Sequence, residues 1–225
     1  LSFLKTNANF NKNKYDSLLY AFDLENNKKF KISDNKDINL FIFDNDNNII
    51  FKEKSDEDFD YFYKKDRSME IAKFDFKINK NVSFIKNLEN GNFLIKACDK
   101  LSKDQRKNQK ENSFYKEVTK VPFWFNGSSY VKDEVESLYI FNKEENKLEK
   151  IREFKNETLN AFAINKNLNK LALVIGKNDN NVSRLKDDLI ILDLENNNEN
   201  ILIEDTFSFY DLFFDNDDEI VFVAT

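Results

Sequence analysis

Short apolar runs recur along the whole chain, each broken by a cluster of Asn, Asp, Glu or Lys and then resumed. Ser17-Leu18-Leu19-Tyr20-Ala21-Phe22 resumes at Phe30-Lys31-Ile32. Ile38 to Phe43 resumes at Ile49-Ile50-Phe51, Ile71 to Phe76 at Val82-Ser83-Phe84, and Ile85 to Leu88 at Phe93-Leu94-Ile95. The second half repeats the habit with Leu138-Tyr139-Ile140-Phe141 and Leu148 to Ile151, Leu159 to Ile164 and Leu171 to Val174, Leu189 to Leu192 and Ile201 to Ile203, and Phe209 to Phe214 and Ile220 to Val223. Runs this short, rich in Phe, Ile, Val and Tyr and without a sustained i, i+3, i+4 spacing, are strands. An all-β chain of eight hairpin-like units follows.

Tight hairpins need residues with φ > 0, and with only 3 Gly in the chain that duty falls on Asn and Asp. Asn26-Asn27, Asn47-Asn48, Asn90-Gly91 and Asp217-Asp218 fit it. The hairpins come in two alternating kinds, and the kind with an acidic or Asn-rich turn before a strongly apolar strand returns at Asp44, Asn165 and Asp215. Two hairpins in roughly 45–50 residues make a four-stranded blade, the repeating unit of a β-propeller. The expected division is a partial blade over 1–37, blades over 38–85, 86–152 and 153–204, and a partial blade over 205–225. About four to five four-stranded antiparallel blades leave the ring incomplete, because closure with seven or eight at this period takes well over ~300 residues. The chain therefore reads as a propeller fragment cut from a longer polypeptide, its ring open or completed by a second copy in a homo-oligomer.

Composition removes whole classes of chemistry. With 0 His and 1 Cys, the chain supplies no Ser-His-Asp or Cys-His triad, no internal disulfide and no thiolate cage for zinc. No cofactor and no metal are expected. Asp44-x-Asp46-x-Asn48 opens like a calcium loop, but Ile49 stands where Gly is needed and Ser55 where the closing Glu belongs, so it reads as a plain turn. Asp215, Asp217, Asp218 and Glu219 read the same way. A net charge of −6 disfavours a nucleic-acid partner. No run nears the ~18 apolar residues of a membrane span, and Leu1-Ser2-Phe3-Leu4-Lys5 lacks a signal-peptide pattern. The expectation is a soluble, cytoplasmic protein with no membrane partner.

The segment Val121-Pro122-Phe123-Trp124-Phe125-Asn126-Gly127-Ser128-Ser129-Tyr130-Val131, followed by Ser137-Leu138-Tyr139-Ile140-Phe141, is similar to a phrase of the N-terminal propeller of the prolyl oligopeptidase (S9) family of serine peptidases, nearest the acylaminoacyl-peptidase branch. That phrase has an aromatic pair, Asp/Asn-Gly, a small pair and Tyr, then a strand ending in Asp. Here Asn126 replaces the usual Asp, Ser128-Ser129 a Gly-containing pair, and Asn142 the final Asp. Phe162 to Ala172 similarly resembles the family's W-S-P-D-G-K-x-I-A-F phrase with most polar anchors replaced. The resemblance implies a non-catalytic propeller that restricts the access of peptides to a C-terminal α/β-hydrolase domain of the parent chain. That domain would carry the Ser, Asp and His of proteolysis; it is absent here, as is any G-x-S-x-G elbow. The alternative is a free-standing propeller that binds a protein or peptide without enzymatic activity.

The longest non-repeating stretch runs over about 99–136 and carries the candidate site residues Phe123, Trp124, Phe125 and Tyr130, read as lining a substrate channel for apolar peptide side chains or packing between domains. Upstream, Asp99 to Lys116 is a basic run with Lys100, Lys103, Arg106, Lys107, Lys110 and Lys116, expected to be a solvated loop. Cys98, at the end of an apolar strand, is expected to be a small packed residue.

Overall fold

The computed structural model describes residues 1–11, 13–35, 37–66, 71–88, 90–111, 124–125, 129–130, 134–179, 182–216 and 219–225. Strands β1 (Ser2–Asn9), β2 (Lys14–Asp23) and β3 (Lys28–Lys31) form a three-stranded sheet in that order. Next, β4 (Phe41–Phe43), β5 (Ile49–Ser55), β6 (Asp60–Lys65) and β7 (Lys73–Ile78) make a four-stranded antiparallel meander. The third sheet takes β8 (Lys80–Asn87), β9 (Phe93–Asp99), β12 (Glu136–Asn142) and β13 (Lys147–Phe154). Between β9 and β12 the chain inserts helix α1 (Lys103–Glu111) and a short hairpin of β10 (Trp124–Phe125) and β11 (Ser129–Tyr130). A fourth antiparallel sheet holds β14 (Glu157–Ile164), β15 (Lys170–Asp179), β16 (Val182–Asp193) and β17 (Glu199–Phe207), and β18 (Phe209–Phe214) pairs with β19 (Ile220–Ala224).

Three four-stranded sheets, flanked by a three-stranded and a two-stranded one, are the blades of a propeller with its ring incomplete. The chain divides into two compact units, Leu1–Leu101 with Leu138–Lys150, and Ser102–Ser137 with Ile151–Thr225. Inside the first unit, Leu19, Ile32, Ile38, Ile49 and Phe51 pack the first sheet onto the second. Phe62, Phe76, Val82, Phe93, Ile95 and Phe141 then pack the second onto the third. Phe76 is the hub, with ring centroids 4.7 Å from Phe62, 5.1 Å from Phe141 and 5.4 Å from Phe93. In the second unit, Ala172, Val174, Leu189, Phe209 and Leu212 fill the same role between the β14–β17 sheet and β18–β19. No helix among the described residues is long and apolar enough to cross a membrane.

Asparagine makes the turns. Positive φ falls on Asn27 (51°), Asn47 (61°), Asn146 (50°) and Asn197 (57°), and Gly91 sits at 81°; Asp217 and Asp218 lie outside the described residues. An Asx side chain then accepts the orphan amides. Asp44 Oδ1 takes Asp46 N (3.0 Å) and Asn48 N (2.8 Å), Asn165 Oδ1 takes Asn169 N (3.0 Å) and Lys170 N (2.9 Å), and Asp193 Oδ1 takes Glu195 N (2.9 Å).

Two expectations need correction. Ile71 to Phe76 does not pair with Val82-Ser83-Phe84: β7 pairs with β6, and β8 pairs with β9. A single residue, Asn79, separates β7 from β8; two-residue loops are the shortest common hairpin connection, so the chain steps to the next sheet instead of folding back. The basic run is not all loop, because Lys103–Glu111 is helical. Its start is a capping box, with Gln105 N donating to Ser102 Oγ at 3.2 Å and Ser102 N to Gln105 Oε1 at 2.8 Å.

Asn47→Ala should lower stability by about 1 kcal/mol while Asn47→Gly leaves it nearly unchanged, since only the former keeps a Cβ without a side-chain amide suited to the left-handed region. Urea unfolding of the two variants checks this. Phe76→Ala, which empties the hub of the four-ring cluster, should cost about 3–5 kcal/mol in the same measurement.

Candidate functional site

The insertion between β9 and β12 holds the residues singled out in the sequence. Trp124 lies directly across the hairpin from Tyr130, and Phe125 from Ser129. Phe123 lies outside the described residues, as do the side chains of Trp124, Phe125 and Tyr130. The structure thus brings Trp124 and Tyr130 into one cross-strand pair, and it leaves their lining of a channel as an expectation.

At the root of this insertion stands a buried charge cluster. Asp60, the first residue of β6, has no exposure to solvent. Its Oδ1 accepts Lys100 Nζ at 2.5 Å and Ser55 Oγ at 2.6 Å; its Oδ2 accepts the backbone N–H of Val82, on β8 of the next sheet, at 2.8 Å, and lies 3.4 Å from Lys52 Nζ. Lys52 Nζ also donates to Val82 O at 2.8 Å. Burial pushes the Asp60 carboxyl up, but the hydrogen bonds from Lys100, Ser55 and Val82 N and the charge of Lys52 outweigh it and hold the group below its ordinary value. In the adjoining loop, the exposed Asp56 is held down at about 2 by hydrogen bonds from Tyr61 Oη and the amides of Phe59 and Asp58.

The second unit repeats the device. Asp187 Oδ2 accepts Phe209 N, on β18 of the following sheet, at 3.2 Å, and Asn160 Nδ2 donates to Asp187 Oδ1 at 2.9 Å. Gly176 makes room for this pair: a Cβ there would stand 3.1 Å from Asn160 Nδ2 and 3.3 Å from Asp187 Oδ1. Both carboxylates act across the same separation of 22 residues. Two further polar residues in penultimate strands, Asp16 and Ser137, are buried as well. Sequence reasoning missed the set. The signal available was a small polar residue one to three positions ahead of an apolar run, recurring at a fixed distance before another.

The remaining candidates have structural roles. Asp44 is spent on its turn and on Lys64 Nζ at 2.7 Å. Cys98 is buried and in no disulfide, with Asn81 Nδ2 3.6 Å from its sulfur. Among the described residues no group of His, Cys, Asp or Glu is arranged to hold a metal ion.

No family model and no curated protein matches the sequence. Solved structures do. The chain is similar to the Pyrococcus horikoshii acylaminoacyl peptidase at 17% identity and a TM-score of 0.63, covering 93% of this chain and 31% of that one. An acylaminoacyl peptidase in complex with Z-Gly-Gly-Phe-chloromethyl ketone aligns at 18% identity and a TM-score of 0.61 with the same coverage. Puromycin hydrolase, as an S511A mutant complexed with PGG, aligns at 10% identity and 0.55 over 93% of this chain and 30% of that one. The chain thus spans about a third of the length of these proteins, and at such identities the likeness is one of fold. In fold, the chain is a propeller fragment similar to part of these acylaminoacyl peptidases.

Asp60→Ala should cost about 3–5 kcal/mol, because it strands Lys100, Lys52 and the Val82 amide without their acceptor. The pH dependence has a defined sign. A carboxyl whose folded pKa lies below its unfolded value of about 3.9 contributes stability above that pH and loses it as pH falls through the lower, folded value. Urea midpoints measured from pH 7 downward should fall below pH 4 in the wild type, and fall less steeply in Asp60→Asn.

Proposed function

We propose that this chain is the access-restricting propeller of a serine peptidase of the prolyl oligopeptidase family, acylaminoacyl-peptidase-like, acting beside an α/β-hydrolase domain on the parent polypeptide. The observation that carries this reading is the fold likeness to two acylaminoacyl peptidases over 93% of the chain. The sequence supports the division of labour. With 0 His and no G-x-S-x-G elbow, these 225 residues hold no Ser-His-Asp triad, and in this reading the hydrolytic chemistry belongs to a partner domain.

In this reading the propeller contributes selection. Admitting an extended peptide while excluding a folded protein is the task this reading gives the blades. The insertion bearing Trp124 and Tyr130 supplies flat apolar surface for peptide side chains, at low entropic cost because aromatic rings have few rotatable bonds. The protein works in the cytoplasm, a setting suited to a single buried cysteine outside any disulfide, Cys98.

The chain alone should hydrolyse no acylated or free peptide and take up no serine-directed phosphonate, while the parent polypeptide should be labelled on one serine. Mass spectrometry after phosphonate treatment decides it. An unlabelled, inactive parent would return the chain to the class of binding propellers.

A further inference from the structure

We propose that β19 is a self-pairing edge: two copies of this chain join through it, antiparallel about a two-fold axis at Phe222, into one four-stranded sheet made of β18 and β19 from each copy. Among the described residues β19 pairs with β18 alone, whereas three of the other sheets hold four strands. Its hydrogen-bonding direction is fixed at both ends. Asp215 N donates to Glu219 O, and Ser208 and Thr225 exchange both of their backbone bonds, each at 3.0 Å. The bulge between Phe209 and Asp211 adds its extra residue to β18, so alternation along β19 is unbroken. Odd-numbered residues therefore turn to β18, and the N–H and C=O groups of Ile220, Phe222 and Ala224 aim at the open edge.

Such an edge normally carries a guard against pairing. The last strands of the larger sheets present Lys29 on β3, Lys77 on β7, Lys150 on β13 and Glu204 on β17. β19 reads Ile220-Val221-Phe222-Val223-Ala224, with neither charge nor proline. An uncharged strand has nothing with which to select a charged partner, and a second β19 fits it. About Phe222, Ile220 lies opposite Ala224, Val221 opposite Val223 and Glu219 opposite Thr225, so within this stretch no like charges face each other. Each copy keeps Ile220, Phe222 and Ala224 on the face packed inside its own unit, where the Phe222 ring lies 5.2 Å from that of Phe209. Val221 and Val223, 43% and 60% exposed, form the other face. The same patch serves both copies, so the assembly closes at two.

Sedimentation equilibrium on this chain tests the pairing and its register together. The wild type should approach twice the mass of one chain as concentration rises. Val221→Lys combined with Val223→Lys sets lysine opposite lysine across the axis, whereas Val221→Lys combined with Val223→Glu sets lysine opposite glutamate. The first double variant should associate at least about tenfold more weakly than the second, which stays dimeric. Both replace exposed side chains, so both should keep the wild-type circular dichroism. A wild type that remains monomeric throughout, or two double variants that associate alike, overturns the proposal.

Discussion

A buried carboxylate reaching from one sheet to the backbone of the next is the constraint on which this arrangement depends. Apolar faces attract one another without direction, so Phe76 and its neighbours would tolerate a sheet that slid or turned by a residue. A hydrogen bond from Val82 N to Asp60, or from Phe209 N to Asp187, does not tolerate it, because the lost partner would leave a charge or an amide unsatisfied in the interior. Packing supplies the bulk of the stabilisation in each unit, and the carboxylate selects one geometry from those that packing allows.

β9 ends beside the loop that leads into Asp60, and the first residue beyond β9 is drawn into the same cluster. A carboxylate held by two cations, a hydroxyl and an amide titrates below its ordinary value, so the joint between these sheets keeps its charge where a free carboxyl would begin to lose it.

Strand content, blade repeat and turn chemistry were legible because each is local. The alternation of apolar runs and Asn/Asp clusters names the strands, and the scarcity of glycine forces asparagine into the left-handed positions seen at Asn27, Asn47 and Asn197. Leu168 shows how far backbone geometry can persist. It holds φ at 58° inside a turn that Asn165 and Asn169 close by a side-chain hydrogen bond of 2.8 Å, so the turn survives a side chain that does not favour it. Strand β6 is hard to read locally because Asp60 and Lys64-Lys65 dilute its aromatic core of Tyr61-Phe62-Tyr63, and α1 because its character is polar throughout; its capping box is the one local sign of a helix.

By itself, then, the sequence determined the class of fold, since strand content and turn chemistry follow from residue types and nearest neighbours. Which strand joins which sheet, that β7 and β8 part company across Asn79, and that Asp60, Lys52 and Lys100 converge on one buried point were decided only in three dimensions. The reason is physical: an acidic residue ahead of an aromatic run looks the same in sequence whether it meets water or the amide of a neighbouring sheet. Only burial against that neighbour turns a surface charge into a joint.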